Sequence, residues 1–172
     1  TFITNNSKVI TAKAAPTFVA NSRGTILIST LPDGESSIQG QAFEIKIGNA
    51  TGNTHISSSP RIITHTSGAS DTYETILTAL ETKVNAENIT GLTVTKYANQ
   101  LQLDYVISST RTPFTLEAKG GADNKRLVVY QDHALDEASL PPNSFHNHVV
   151  GITNGSRDQT DDIYAKFVAD NS

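Results

Sequence analysis

Residues able to do chemistry are thinly spread in this chain, and the densest group is Ser144-Phe-His-Asn-His-Val149. His146 and His148 stand one residue apart, so in a strand both imidazoles project from one face, a spacing that can hold two legs of a zinc or nickel site. A third ligand is required, and Asp161 or Asp162 supplies it if the last two strands pair. An exposed polar strand face has the same pattern, and this is the preferred reading: His146 and His148 are weak metal candidates expected to face solvent. The letters His-Asn-His do not make an HNH nuclease, whose residues are spread over a ββα unit with a metal; no basic surface or following helix accompanies them.

Other chemical groupings lack a positioning element. Asp132, His133 and Ser139 are the residue types of a hydrolytic triad, but no Gly-x-Ser-x-Gly elbow accompanies them. Any two of Glu35, Glu44, Asp104, Glu117, Asp132, Asp136 and Glu137 could pair for glycoside hydrolysis, and nothing selects a pair. Gly120-Gly121 lacks the Lys-Ser/Thr and the strand-to-helix context of a phosphate cradle. Tyr97, Tyr105, Tyr130 and Tyr164 fall in strands, where they suit a sugar-stacking platform or ordinary packing. With no cysteine, thiolate chemistry and disulfides are excluded. No catalytic residue and no cofactor is assigned, and the chain is not expected to be an enzyme.

Bulk properties narrow the partners. The formal net charge is -4, and no basic run exceeds Lys125-Arg126. A face that grips nucleic acid through its phosphates is therefore not expected. No apolar run approaches the roughly 18 to 20 residues of a membrane helix, so no membrane span is expected. About fifty residues are Ser, Thr or Asn, which with 6% aromatics suits a solvated β-rich surface better than a deep pocket. The four Asn-x-Ser/Thr triplets, beginning at Asn5, Asn49, Asn88 and Asn154, carry no weight in so Asn- and Thr-rich a chain. A length of 172 residues suits one domain, or one with an appendage. Methionine is absent even at position 1, and the abrupt opening on Thr1-Phe2-Ile3 suggests a piece of a longer product.

The elements follow from periodicity. Phe2–Ile3 and Val9–Thr11 read as short strands around an Asn5-Asn6-Ser7 turn, with Ala14–Asn21 as connector. Gly24–Thr30 is a strand-like apolar run ending at a Leu31-Pro-Asp-Gly34 turn. Phe43, Ile45 and Ile47 alternate with Ala42, Glu44, Lys46 and Gly48, the mark of a half-buried strand. Arg61–His65 is another strand, with His65 at its solvent end. Tyr73, Ile76, Leu77, Leu80 and Val84 recur at helical spacing and predict one amphipathic helix over 71–85, with Asp71 and Glu74 as a capping box. Strands resume at Leu92–Tyr97, Leu101–Val106, Thr112–Ala118 and Leu127–Tyr130, as antiparallel neighbours. His133–Ser139 reads as a helical turn and Leu140-Pro-Pro-Asn143 as a stiff boundary. Val149–Thr153 and Ile163–Val168 close the chain around Asn154-Gly155. The fold class is α+β, mainly β: antiparallel sheet with one prominent helix, its terminal strands pairing near each other.

The two ends carry a resemblance. Thr1-Phe-Ile-Thr-Asn-Asn-Ser-Lys-Val-Ile-Thr-Ala resembles the opening strand pair of the tail tubular protein B family, the nozzle proteins of short-tailed bacteriophages. Leu140-Pro-Pro-Asn, Val149-Val-Gly-Ile-Thr-Asn-Gly and Asp161-Asp-Ile-Tyr-Ala-Lys-Phe-Val are similar to its proline-led segment, Gly-turn strand and acidic-aromatic strand. Ser144-Phe-His-Asn-His departs from the family pattern, so no role is carried to these histidines.

The resemblance implies an organisation and a function. Residues 1–23 would be a strand pair and connector of a larger β framework, 24–139 an inserted β-rich domain holding the helix, and 140–172 the return strands. The function implied is structural: a virion tail component, made in the host bacterial cytoplasm, that self-associates into a ring, meets adaptor and fibre proteins, and lets DNA pass during ejection. A carbohydrate-binding or host-attachment module is the alternative, and a glycoside or metal-dependent hydrolase stands third.

Overall fold

The computed structural model describes residues 8–10, 21–29, 38–56, 60–131, 133–134, 138, 140–141, 144–145, 148–152 and 163–168. Phe2–Ile3, the turns at Leu31–Gly34 and Asn154-Gly155, Asp132, Ser139, His146, Asp161 and Asp162 lie outside them.

The described chain is mainly β with one helix. Strand β3 (Ala42–Asn49) lies between β4 (Arg61–Thr66) and β8 (Phe114–Gly120), antiparallel to both. The expected alternation holds: Phe43, Ile45 and Ile47 are buried and Glu44 and Lys46 lie on the outer face, where Lys119 and Glu117 pair with them from β8. Gly48 departs from the pattern, being buried.

A second antiparallel sheet has the order β5 (Leu92–Tyr97), β6 (Gln100–Ile107), β2 (Arg23–Ile28), β9 (Leu127–Tyr130), and β7 (Thr110–Arg111) adds to β6. Ile26, Ile28, Leu101, Leu103 and Tyr105 point into the same core as the inner face of β3. Thr25 and Gln100, on the opposite side, are also buried, so this sheet is covered on both faces near its centre.

Helix α1 (Tyr73–Ala86) carries the predicted stripe, with Ile76, Leu77, Leu80 and Val84 buried. It packs on β4, β5 and β6 and spans the edges of both sheets. Lys83 Nζ donates to the Thr64 carbonyl of β4 at 2.6 Å, and Glu81 Oε1 accepts from the Lys96 amide of β5 at 2.7 Å. The helix therefore satisfies backbone groups on two edge strands that would otherwise invite intermolecular pairing. Its cap lies one residue beyond the expected one. Thr72 is the N-cap and forms the box with Thr75, while Asp71 accepts from the Gly68 amide, at 2.7 Å, and from the Thr75 hydroxyl. These bonds and nearby His65 hold the Asp71 carboxyl below its ordinary pKa.

Two glycines are fixed by their surroundings. A Cβ on Gly91 would stand 2.2 Å from the Val106 carbonyl oxygen, at a φ of +83°. A Cβ on Gly120 would stand 2.4 Å from Cδ1 of Phe43, its cross-strand partner.

The chain ends build a third sheet, ordered β1 (Lys8–Ile10), β12 (Ile163–Phe167), β11 (Val149–Ile152), β10 (His133–Ala134). The terminal strands do pair: Lys8 to Ile10 run antiparallel to Phe167 to Ala165. Of the helical turn expected over His133–Ser139, His133–Ala134 instead forms a short strand parallel to β11, while Ala138 is in 3-10 conformation. A separate hydrophobic cluster of Ala134, Leu140, Val150, Ile152, Ala165 and Phe167 belongs to this sheet.

Candidate functional site

Of the expected exposed pair only His148 is among the described residues, and it is buried. Strand β11 begins at Val149, so His148 precedes it, and the His148 amide closes a turn onto the Phe145 carbonyl at 3.0 Å. His148 is only 4% exposed, a correction to the solvent-facing expectation. Its backbone carbonyl accepts from the Phe167 amide at 2.8 Å, which fixes the ring beside β12.

The ring lies at the meeting of the two hydrophobic clusters. Phe167 stacks against it at 6.0 Å between centroids, and Phe145 meets it edge-on at 6.1 Å. Nε2 is 3.1 Å from the Gln131 carbonyl oxygen, which can only accept, so Nε2 carries the proton and Nδ1 accepts from the Ser144 hydroxyl. Ser144 Oγ in turn is 3.3 Å from Thr25 Oγ1 on β2. Both nitrogens are thus occupied by protein partners, and the Nδ1 lone pair that a metal would need is engaged. Among the described residues no three His, Cys, Asp or Glu side chains converge as metal ligands.

Charged groups surround this joint. The Arg23 guanidinium lies over the Phe145 ring at 4.9 Å, and Asp104 stands 3.5 Å from Arg23 and 3.4 Å from Arg111. Burial, reinforced by Arg23, lowers the His148 pKa to about 4, against opposing contributions from the Gln131 carbonyl and Asp104. Arg23, Thr25, Gln131 and Ser144 were not singled out by sequence. Arg23 and Thr25 lie on β2, Gln131 just after β9 and Ser144 outside any strand, and only the tertiary fold brings them together.

The remaining candidates disperse. Tyr105 is buried edge-on against Phe114, and burial raises its pKa, whereas Tyr97 is 58% exposed at the far end of the β5–β6 hairpin. Tyr130 and Tyr164 lie half-buried in different sheets, so the four do not form one stacking platform. Glu44 and Glu117 face Lys119 and Lys46 across the β3–β8 ladder, each at 3.1 Å, and Asp104 is held by two arginines. Carboxylates paired in this way are not poised as a catalytic acid and base. His65, expected at a solvent end, is half-buried with Nε2 3.2 Å from Asp71. His133 lies in β10, while its proposed companions Asp132 and Ser139 are outside the described residues.

Among the described residues these groups do not come together at one place. A family model of the bacteriophage nozzle proteins matches residues 1–172, the whole chain. The chain belongs to the bacteriophage nozzle protein family. No curated protein matches it. The family agrees with the resemblance read from the two ends, and makes the chain a viral structural protein of the phage tail. No helix among the described residues is long and apolar enough to cross a membrane.

Proposed function

We propose that this chain forms part of a ring at the lower end of a phage tail tube, through which DNA leaves the capsid. The observation that carries the reading is the match of the nozzle family along the entire length of the chain. The charge arrangement supports it. Lys46 and Lys119 are paired with Glu117 and Glu44, Arg61 with Glu87, Lys96 with Glu74, and Arg23 and Arg111 share Asp104. Cations neutralised by neighbouring carboxylates contribute little phosphate affinity, and a conduit works only if DNA does not stick to it.

In this reading residues 1–23 and 140–172 belong to a β framework, and 24–139 form an insert carrying the helix. Two observations support the division: β1 and β12 pair in one sheet, and the sheet of the chain ends has a hydrophobic cluster of its own. Ala134 of β10, although it precedes residue 140, also packs in that cluster. Contacts with other copies in the ring, and with adaptor and fibre proteins, belong to the same reading.

The test is to express the full reading frame containing these residues and classify the purified particles by symmetry in electron micrographs. Closed rings with an open lumen are expected. Monomers or compact trimers would overturn the reading.

A further inference from the structure

We infer that His148 is an acid-sensitive latch, a neutral imidazole that holds the sheet of the chain ends to β2 and β9 and releases that joint when it takes up a proton. The inference stands on placement and does not depend on ring assembly. His148 precedes β11, stacks on Phe167 of β12, donates to the Gln131 carbonyl just after β9, and reaches Thr25 of β2 through Ser144. The ring thus ties Phe167 of one cluster to Gln131, and through Ser144 to β2, whose Ile26 and Ile28 belong to the other.

Protonation would leave the hydrogen bonds repairable. The Ser144 hydroxyl can turn to accept from Nδ1–H and direct its own proton to Thr25 Oγ1. The charge itself is what the site cannot accommodate. Phe145 and Phe167 wall the ring and exclude water. Among the described residues, β2 contributes the Arg23 cation and β6 the Asp104 carboxylate, which is already shared with Arg111 of β7. Gln131 offers a neutral carbonyl, and Lys166, beside Phe167 on β12, is exposed on the other side of that strand.

The sign follows from linkage. With the joint closed, the imidazole titrates at about 4; in an open joint it returns to 6.5. The closed state therefore keeps its full advantage above pH 6.5 and loses tenfold for each unit below it, until the closed form also protonates. Across the interval between these two values the opening equilibrium shifts by about 300-fold.

Hydrogen exchange on the 172-residue chain between pH 7.5 and 4.5, corrected for intrinsic exchange rates, tests this. The Phe167 amide, bonded to the His148 carbonyl, should open about tenfold more per pH unit below about 6.5, while amides of β3 and β8 keep their protection. His148→Gln keeps a donor for Gln131 but does not titrate, and it should flatten the Phe167 response. Equal pH slopes in the two proteins, or a flat wild-type response, would overturn the latch. An NMR titration of the unmutated imidazole decides independently of whether the variant folds. A neutral Nε2–H ring down to about pH 5 supports the latch, and titration near 6.5 in the folded chain refutes it.

Discussion

Leu80→Ala is the most direct test of whether α1 closes the core or merely rests on it. Leu80 is fully buried in the middle of the helix, in the same cluster as Ile76, Leu77 and Val84 and the inner faces of both packed sheets. Truncation to Ala removes about three methylene equivalents, a transfer loss of roughly 2.4 kcal/mol at 0.8 kcal/mol each. Alanine has the higher helix propensity, by a few tenths of a kcal/mol, which offsets little of this. A cavity term adds to the loss, because β5 and β6 are held by ladders on their other sides and cannot follow the missing side chain inward. The expected destabilisation is about 2 to 5 kcal/mol. Urea unfolding followed by far-ultraviolet circular dichroism measures it as a lower midpoint at unchanged slope. Thermal unfolding should show a drop of roughly 4 to 20 °C. A loss well under 2 kcal/mol would refute the reasoning and mean that the stripe is only loosely covered.

Two further perturbations read individual contacts. Gly120→Ala places a methyl 2.4 Å from the buried Phe43 ring, and overpacking of this kind should cost about 1 to 3 kcal/mol in the same urea assay; neutrality would mean that the ring can turn aside. Thr72→Ala removes the N-cap that accepts from Thr75, with an expected loss of about 0.5 to 2 kcal/mol; Asp71→Ala should weaken the same turn, and if Thr72→Ala alone is silent the helix starts elsewhere.

How much of this was legible depended on whether the deciding contact was local. The β3 alternation and the α1 stripe are local patterns tied to one element each, and both appear where periodicity put them. The cap was off by one because Asp71-Thr-Tyr-Glu74 and Thr72-Tyr-Glu-Thr75 overlap, and either pair can serve; the backbone chose Thr72 and left Asp71 to tie Gly68 and His65. The β6–β7 hairpin escaped notice because its two turn residues, Ser108 and Ser109, both adopt positive φ without the Asn-Gly or Asp-Gly pair that usually signals such a turn. Strand β10 spans two residues and pairs in parallel with β11, too short for any periodicity to mark.

His148 shows the limit most clearly. Alternation suggested a solvent-facing ligand, yet the strand starts one residue later and the ring is enclosed by Phe167 and by the Gln131 carbonyl 17 residues before it. Sequence spacing reports which side chains share a face, whereas what covers that face is set by the register between β11 and β12 and by the approach of β9. Those pairings join the end of the chain to its middle, so the chemistry of a histidine that looked like half a metal site is decided by residues its own neighbourhood does not contain. The same non-local closure makes it the reporter of the proposed latch: between pH 6.5 and about 4 an imidazole at an open joint is charged while one at a closed joint is neutral.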